Sequence, residues 1–452
     1  MNIVIAGAGK VGYSLAKQLS MKKHNVTIID SSEERIDYVT SNLDVMAIVG
    51  NGASYEIQRS AGVEHANLLI AATSLDEVNI LCCIVAKKLG VPHTIARVRN
   101  PEYAKQVVFL RDELGLSMSV NPEQATAEEI SRVIRFPSAS KVEPFAKGKA
   151  EMVELRLQPN NPLCGMSVSE IHPKFKVKVL LSVVERGGRA MIPSGDFVLQ
   201  ANDRISIVGS PVEQERFSCM IGLKKNRVRN VIIVGAGKIT VYLAEQLLSM
   251  GVHVKIIEQK REKCLDIKNK LYKATVICGD GTKPDVLMEE GLAEADAVVA
   301  LTGMDESNII ISIYAKTASD ALVIAKVNEM HFDAVLEQSG IDTTVQPSGI
   351  TAQRIVHYVR AMANSKSSTM ETLYLLNDGS VEAIQFKVKG DGELAGRSIK
   401  DLPIRSGVQI SAILRGGKCL IPGGHDVIQR EDDVIIVTTR HDIVTLSDIL
   451  ER

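Results

Sequence analysis

A glycine-rich loop near the start of the chain has the residue types and spacing of a phosphate-binding turn. Gly7, Gly9 and Gly12 stand between an apolar run, Asn2–Ala6, and a helix-like segment from about Val11 to Lys22. Gly7 permits a tight turn, Gly9 lets the backbone approach a pyrophosphate, and Gly12 lets the helix pack closely on the strand. The N-terminus of the helix would direct free N–H groups and the positive end of its dipole at the phosphates. The loop therefore predicts a dinucleotide site, to which Ala8, Lys10 and Val11 also belong.

Asp30 ends the next strand-like run and supplies the second half of this candidate site. A carboxylate in that position accepts hydrogen bonds from the hydroxyls of an adenosine ribose. It would also repel a 2′-phosphate, so the sequence favours NAD(H) over NADP(H). Polar and small residues follow the later strands, at the edge where open α/β sheets bind ligands: Gly50, Asn51, Gly52, Thr73, Ser74 and Arg97. An ordinary loop or surface role is the alternative for each of these residues.

The second half of the chain contains an altered copy of the loop. It consists of Gly235, Ala236, Gly237, Lys238, Ile239 and Thr240. Because Thr240 replaces the third glycine, we expect the helix to sit slightly further from the strand. Glu258 takes the place of Asp30, and Lys326 takes the place of Arg97. The residues that would flank this cleft are Gly279, Asp280, Gly281 and Thr302. The copy predicts a second nucleotide site that is weaker or differently specific.

Both loops belong to a larger unit that occurs twice. NIVIAGAGKVG (2–12) matches NVIIVGAGKIT (230–240), and ANLLIAATSLDEVN (66–79) matches ADAVVALTGMDESN (295–308). Each copy alternates apolar runs with helical stretches of about 10–15 residues, which predicts a parallel sheet covered on both faces. A second kind of unit, with short alternating strands and Arg-Gly-Gly turns, follows each copy. We therefore predict an α/β protein with two Rossmann-like parallel-sheet domains, each followed by a small α+β lobe.

Polar or basic segments mark the expected boundaries of these units. The first round would comprise a Rossmann-like domain, a crossover helix with its linker, and a lobe, at 1–120, 121–139 and 140–222. The second round would comprise the same three parts at 228–347, 348–369 and 370–452. The crossover helices follow Asn121-Pro122 and Gln346-Pro347, where proline favours a helix start. They would be core helices or, alternatively, exchanged or dimer-forming helices.

The bulk composition excludes several classes of protein. The 452 residues include 53 basic and 54 acidic side chains, and this balance gives no electrostatic reason to expect DNA or RNA as a partner. The seven cysteines are scattered, without a C-x-x-C motif, which favours free thiols in a reducing cytoplasm. No zinc-binding histidine pattern is visible. No signal peptide and no apolar stretch of the ~18–20 residues that a membrane span requires are visible. If the protein works at a membrane, another chain must therefore span it.

A dehydrogenase would need an acid or base beside the nicotinamide, in a substrate pocket. The small lobes contain no such cluster, and His172 and His425 are isolated. The pairs Asp76-Glu77 and Asp305-Glu306 recur in both copies, and a helix-capping role is favoured over a catalytic or metal-binding one. We therefore expect a regulatory protein rather than an enzyme. The alternatives are an NAD-dependent oxidoreductase and a nucleotide-sensing scaffold with a soluble partner.

The order of these motifs resembles the RCK, or KTN, family of domains that regulate potassium conductance, in the tandem form found in Trk-type potassium uptake systems. The resemblance rests on NIVIAGAGKVG, VGNG, AATSLDEVN and IARVRNPEY, on the LCGMSV lobe, and on a second round of both units. It implies a homotetrameric ring, peripheral on the cytoplasmic face of the inner membrane. It also implies binding of NAD(H), or of ATP or ADP at the same clefts. Ligand binding would open or close a separate membrane pore of the TrkH or TrkG type.

The resemblance also implies which residues contact the nucleotide. In the first copy these are Gly7, Ala8, Gly9, Lys10, Val11, Asp30, Thr73, Ser74 and Arg97. In the second copy they are Gly235, Ala236, Gly237, Lys238, Ile239, Glu258, Asp280, Gly281 and Thr302.

Overall fold

The computed structural model describes residues 1–100, 113–136, 141–222, 228–328, 339–364, 370–376, 380–388, 396–443 and 445–451, together with 103, 106, 107, 109 and 394. The chain divides into two compact units. One contains Met1–Ile134 and Val228–Val356, and the other contains Arg135–Arg227 and His357–Arg452. The Rossmann-like parts of both rounds therefore share one unit, and the small lobes share the other.

The first Rossmann-like domain is a six-stranded parallel sheet in the order β3-β2-β1-β4-β5-β6. Its strands are β1 (Asn2–Ala6), β2 (Asn25–Asp30), β3 (Met46–Val49), β4 (Leu68–Ala71), β5 (His93–Arg97) and β6 (Met118–Val120). Its helices are α1 (Lys10–Met21), α2 (Glu33–Asn42), α3 (Tyr55–Ser60) and α4 (Asp76–Lys88), and the crossover helix is α5 (Pro122–Arg135). The strand order reverses at β1, which creates a crevice at the carboxyl ends of β1 and β4. The glycine-rich loop leaves β1 at this crevice.

The first small lobe is a five-stranded antiparallel sheet in the order β10-β9-β11-β8-β7. Its strands are β7 (Lys141–Phe145), β8 (Ala150–Arg156), β9 (Val179–Arg186), β10 (Arg189–Met191) and β11 (Arg204–Gly209). Its helices are α6 (Val168–Phe175) and α7 (Pro211–Met220). The short turn between β9 and β10 uses Gly187 and Gly188, both at positive φ, as the Arg-Gly-Gly pattern suggests.

The second Rossmann-like domain repeats the first, with the order β14-β13-β12-β15-β16-β17. Its strands are β12 (Asn230–Val234), β13 (His253–Glu258), β14 (Thr275–Cys278), β15 (Ala297–Ala300), β16 (Leu322–Lys326) and β17 (Thr343–Val345). Its helices are α8 (Lys238–Ser249), α9 (Arg261–Lys270), α10 (Pro284–Glu289) and α11 (Asp305–Ala318), followed by the crossover helix α12 (Pro347–Asn364).

The second lobe repeats the antiparallel sheet in the order β18-β19-β22-β20-β21. Its strands are β18 (Met370–Leu376), β19 (Val381–Lys387), β20 (Val408–Arg415), β21 (Lys418–Leu420) and β22 (Asp433–Thr438). Within its described residues, short 3-10 turns at Ile399–Asp401 and Leu446–Ile449 stand where the first lobe has helices. The predicted fold class is confirmed, and the lobes differ mainly in this helical content.

The crossover helix α5 packs in the core of the second Rossmann-like domain and is here called the exchanged helix. Its apolar residues Ala127, Ile130 and Ile134 are buried in the core of the second domain, beside Leu243 of α8 and Ile256 of β13. For α5, the exchanged alternative that the sequence left open is therefore the one that the structure contains. The first domain is thus coupled to the core that supports the second glycine-rich loop.

Polar contacts hold the exchanged helix in place. Asn121, just before α5, donates a hydrogen bond from Nδ2 to the Tyr242 hydroxyl of α8 at 3.1 Å. Glu128 of α5 accepts a hydrogen bond from Arg354 of α12 at 2.5 Å. These contacts join the two rounds of the chain within one unit.

The two lobes pack together through a shared apolar core. Phe145 and Met152 of the first lobe and Tyr374 and Ile435 of the second belong to one buried cluster. Within the described ranges of the chain, no helix combines the length and the apolar character that crossing a lipid bilayer requires.

Candidate nucleotide-binding sites

The first glycine-rich loop is shaped by two glycines that no other residue could replace without distortion. Gly7 has a φ of +110°, and a Cβ there would lie 2.8 Å from the Ala72 carbonyl group. A Cβ on Gly12 would lie 1.8 Å from the Gly7 carbonyl oxygen, so α1 packs directly on the turn. A Cβ on Gly9 would meet no described atom within 4 Å. This open space above Gly9, at the first turn of α1, fits a pyrophosphate group.

Asp30 lies beside this loop, at the carboxyl end of β2, and is only 8% exposed. Its Oδ2 atom accepts a hydrogen bond from the Ala8 backbone N–H at 2.7 Å, and its Oδ1 atom accepts one from the Ser32 N–H at 2.9 Å. An ionised carboxylate has lone pairs left for further donors, such as ribose hydroxyls. The structure therefore brings a carboxylate acceptor next to the glycine-rich turn.

Four other predicted residues of the first cleft lie on the loops after β3 and β4, and Arg97 ends β5. Asn51 caps its own turn, with Oδ1 accepting from the Ala53 N–H at 3.0 Å. Gly52 packs on β1, since a Cβ there would lie 2.8 Å from the Ala6 Cβ. The Thr73 hydroxyl donates to Asn79 at 2.8 Å, and the neighbouring Ser74 is exposed.

Asn79 lies beside the predicted residues of the first cleft, although its position in the sequence does not by itself indicate this. It is fully buried, accepts hydrogen bonds from Thr73, and donates from Nδ2 to the Arg97 carbonyl oxygen at 2.9 Å. It therefore joins the loops after β4 and β5. Asn308 makes the same contacts to Thr302 and to the Lys326 carbonyl oxygen. The recurrence of asparagine in DEVN and DESN was the sequence signal for this role.

Arg97 ends β5 and carries a largely buried positive charge. Its Nε atom has no hydrogen-bond partner among the described residues. Burial lowers the pKa of Arg97, the charge of Arg99 lowers it further, and Glu123 and Asp76 oppose this effect. A buried cation with an unsatisfied donor is well suited to an anionic ligand. These features, together with the space above Gly9, fit a bound nucleotide.

The second cleft keeps the outline of the first but differs at its third glycine position. Thr240 is fully buried, and its hydroxyl donates to the Gly235 carbonyl oxygen at 2.6 Å. The equivalent position in the first copy has no room for a Cβ, because Gly12 is too close to the Gly7 carbonyl group. The helix must therefore lie further from the turn in the second copy, in agreement with the expectation from the sequence.

Glu258 reproduces the contacts of Asp30. Its two carboxylate oxygens accept hydrogen bonds from the N–H groups of Ala236 and Lys260, each at 2.8 Å. Asp280 is engaged within its own turn, where Oδ1 accepts from the Thr282 hydroxyl at 2.7 Å, and this bond lowers the pKa of Asp280. Gly281 packs against Val234 of β12.

The basic residues of the two clefts are close enough to affect each other. Lys326 donates from Nζ to the Thr302 carbonyl oxygen at 2.6 Å. Burial lowers the pKa of Lys326, Asp305 opposes this, and the charge of Lys10 from the first loop lowers it further. An anion bound near Lys10 would therefore also relieve repulsion at Lys326. The remaining loop residues, Lys238 and Ile239, begin α8 as Lys10 and Val11 begin α1.

Both acidic pairs lie in the first turn of a helix, as expected, and the first residue of each pair also binds a neighbouring loop. Asp76 and Asp305 are the first residues of α4 and α11. The Asp76 carboxylate accepts from the N–H groups of Arg99 and Asn100, at 2.8 and 2.7 Å, so it fixes the loop after β5. Asp305 accepts from the N–H of Asn328 at 2.8 Å in the same way. In the part of the chain that the structure describes, no group of three or more His, Cys, Asp or Glu side chains could hold a metal ion.

Comparison with solved structures shows a similar fold. The chain aligns with the GsuK channel bound to NAD at a TM-score of 0.64 and 17% identity, over 97% of this chain and 76% of that chain. It aligns with the GsuK RCK domain at 0.62 and 17%, over 96% and 92% of the two chains. A structure of GsuK bound to ADP aligns at 0.51 and 13%, over 80% and 69%.

Comparison with protein families and curated sequences shows closer relationships. The TrkA-N domain model matches residues 3–122 and 231–347, and the TrkA-C domain model matches residues 152–219 and 383–451. The Trk system potassium uptake protein TrkA homolog of Archaeoglobus fulgidus is 35% identical over 99% of this chain and 100% of its own length. TrkA of Halomonas elongata is 30% identical over 96% and 95% of the two chains. The chain belongs to the TrkA family of potassium uptake proteins.

Proposed function

We propose that this protein is the nucleotide-binding regulatory subunit of a Trk-type potassium uptake system. It acts on a separate integral-membrane subunit of the TrkH or TrkG type, on the cytoplasmic face of the membrane. Its subunits assemble as a homotetrameric ring. The family relationship supports a role in potassium uptake. The two clefts support a role for nucleotides in controlling it.

The hydrogen bond between Asp30 and Ala8 is the observation on which the choice of ligand mainly depends. It supports a model in which the Asp30 carboxylate accepts a hydrogen bond from the 2′-hydroxyl of an adenosine ribose and repels a 2′-phosphate. NAD(H) is therefore the proposed ligand of the first cleft, and the GsuK channel of similar fold is known bound to NAD. ATP or ADP could use the same ribose and phosphate contacts, and GsuK is also known bound to ADP.

The proposed mechanism is a shift between two arrangements of the ring. Nucleotide binds one arrangement more tightly, and the difference in binding free energy favours the pore state coupled to it. A coupling free energy of about 1–3 kcal/mol gives about a 5–150-fold effect. Helix α5 offers a route for this coupling, because Ile130 of the first round is buried in the core behind the second loop.

Isothermal titration calorimetry with NADH and NADPH tests the ligand choice. We expect NADH to bind at least about tenfold more tightly than NADPH, because the Asp30 carboxylate repels the extra phosphate. Equal affinities would contradict the proposed role of Asp30. Titrations with ATP and ADP then rank the adenine nucleotides at the same cleft.

A further inference from the structure

Two cysteines that are separated in the sequence lie together beside the second cleft. Cys264 is near the start of α9 and is buried, whereas Cys278 is the last residue of β14 and is exposed. The Sγ atom of Cys264 donates to the Glu258 carbonyl oxygen at 3.2 Å, and the Sγ atom of Cys278 is 4.0 Å from the Gln259 carbonyl oxygen. The Sγ atom of Cys264 also lies 4.0 Å from the carbonyl oxygen of Ile277, the residue that precedes Cys278. They therefore form a dithiol at the end of β13.

This dithiol is next to the groups that would bind the ribose. The strand register pairs Glu258 of β13 with Cys278 of β14. Gly279, Asp280 and Gly281 follow Cys278 directly. The Glu258 carboxylate holds the Ala236 N–H of the second glycine-rich loop at 2.8 Å. A change in the sulfur positions would therefore act directly on the second cleft.

The two sulfurs differ in their readiness to react. Burial, and after it the neighbouring Cys278 thiol and the charge of Glu258, raise the pKa of Cys264 to about 11. Cys264 is thus protonated at neutral pH and is shielded from solvent. The exposed Cys278 meets a dissolved oxidant first, and Cys264 is the partner that can resolve the product.

We propose that Cys264 and Cys278 form a reversible disulfide that weakens nucleotide binding in the second cleft. With hydrogen peroxide as oxidant, the Cys278 sulfur attacks one oxygen, the O–O bond breaks, and a sulfenic acid and one water form. The Cys264 sulfur then attacks the sulfenic sulfur, the S–O bond breaks, and a second water leaves as the S–S bond forms. The two thiols lose two electrons and two protons, and the peroxide is reduced to two waters. A thiol reductant reverses the reaction by exchange.

The effect on binding follows from the geometry. A disulfide bond is about 2.05 Å long, shorter than any thiol–thiol hydrogen bond, so its formation draws the start of α9 towards the end of β14. It also removes the thiol proton that Cys264 donates to the Glu258 carbonyl group. Both changes displace the ribose acceptor. This consequence rests on the proposed nucleotide site, whereas the disulfide itself does not.

The first cleft supplies a matched control. The positions equivalent to Cys264 and Cys278 are Ile36, which is 6% exposed, and Val49, which is 47% exposed. The same fold is therefore stable with an apolar pair that cannot be oxidised. The double variant Cys264→Ile, Cys278→Val copies this pair into the second cleft and should fold.

The test uses the full-length protein, oxidised with hydrogen peroxide and then reduced with dithiothreitol. We expect peptide mapping to find a disulfide-linked pair of peptides containing Cys264 and Cys278, which dithiothreitol separates. Failure to find this pair, with Cys278 oxidised only to sulfinic acid, would overturn the proposal.

Calorimetry with NADH then tests the effect on the second cleft, with the first cleft weakened by Asp30→Arg. We expect oxidation to weaken binding at least about fivefold, reduction to restore it, and the double variant to be insensitive. A mapped disulfide with unchanged NADH affinity would disprove the control of binding. If the reduced protein does not bind NADH at the second cleft, both the proposed nucleotide site there and its control by oxidation are wrong. Peptide mapping still shows independently whether the disulfide forms.

Discussion

The Asp30 carboxylate accepts a hydrogen bond from the Ala8 backbone N–H at 2.7 Å, and Glu258 and Ala236 repeat this contact at 2.8 Å. In both copies, the side chain that would bind a ribose also holds the loop that would bind the phosphates. A ligand that occupies one part of the cleft therefore affects the other. Because this hydrogen bond joins the two parts of the cleft, one bound nucleotide could change the conformation of the loops at the carboxyl ends of the strands.

Replacing Asp30 by asparagine tests this relationship. Asp30→Asn keeps the size of the side chain but removes its charge and reduces its capacity to accept hydrogen bonds. We expect NADH affinity at the first cleft to fall about tenfold, and discrimination against NADPH to weaken, as measured by calorimetry. Glu258→Gln is the matched control and should leave binding at the first cleft unchanged. Unaltered NADH affinity in Asp30→Asn would remove this residue from the site.

Restoring the glycine pattern in the second loop should not improve it. Thr240→Gly removes a buried side chain and its 2.6 Å hydrogen bond to the Gly235 carbonyl group. We expect a loss of about 1–2 kcal/mol in the free energy of unfolding, measured by denaturant titration, without tighter binding of NADH. The reciprocal change, Gly12→Ala, puts a Cβ within 1.8 Å of a carbonyl oxygen and should be worse for both properties. Tighter binding in Thr240→Gly would show that the threonine only obstructs the site.

The two glycine-rich loops, with Gly12 in one and Thr240 in the other, show which features of the site can be predicted from the sequence. The strand, the loop, the helix and Asp30 follow from local patterns, because each depends on neighbouring residues and on the period of a strand or helix.

The proximity of Cys264 and Cys278 does not follow from local patterns, because it depends on how α9 packs beside β14. The exchange of α5 also could not be decided, since the same apolar stripe fits either domain core. The recurrence of Asn79 and Asn308 was visible, but only their hydrogen bonds reveal the role.

Arg97 should contribute to ligand binding at the expense of stability. The Nε atom of its guanidinium group is buried and has no partner among the described residues, which is unfavourable without a ligand. We expect Arg97→Met to weaken NADH binding about tenfold while the melting temperature of the ligand-free protein stays the same or rises. Lys326→Met provides the parallel test in the second cleft. A large fall in melting temperature with unchanged NADH affinity would indicate a structural role for Arg97.

Because the exchanged helix α5 packs in the core of the second Rossmann-like domain, a mutation in this helix should destabilise that domain. Ile130→Ala should create a cavity in the core around Leu243 and Ile256, and should cost about 2–5 kcal/mol. Hydrogen exchange should locate the loss of protection in residues 231–271. Glu128→Gln on the same helix weakens the ion pair with Arg354 and should have little effect. A loss of protection confined to residues 2–97 would contradict the exchange.

The lobes contain a repeated ion pair, and in the first lobe this pair makes the stability depend on pH. Arg186 donates two hydrogen bonds to Asp203, both at 2.7 Å, and Arg415 does the same to Asp432 at 2.9 and 2.8 Å. Burial alone would raise the pKa of Asp203, but the hydrogen bonds from Arg186 and from the Gln200 N–H lower it below its ordinary 3.8. The stabilisation is therefore complete above pH 3.8 and is lost as the pH falls through the lowered value.

Asp203→Asn tests this pH dependence. We expect the variant to lose about 1–3 kcal/mol of unfolding free energy at pH 7, because Arg186 loses its charged partner. The difference from the unmodified protein should shrink as denaturant titrations are carried to lower pH, since protonation removes the same charge. A difference that is constant between neutral and acidic pH would show that the charge of Asp203 is not the source of the stabilisation.

The central claim is that nucleotide in the first cleft controls potassium transport by a membrane partner. The most direct measurement is potassium flux through a reconstituted TrkH- or TrkG-type subunit, with this protein added and NADH, NAD+, ATP or ADP supplied in turn. We predict that at least one nucleotide changes the flux about 5–150-fold, and that Asp30→Arg abolishes the response. A flux that is the same with and without every nucleotide, or a full response in Asp30→Arg, would contradict the account.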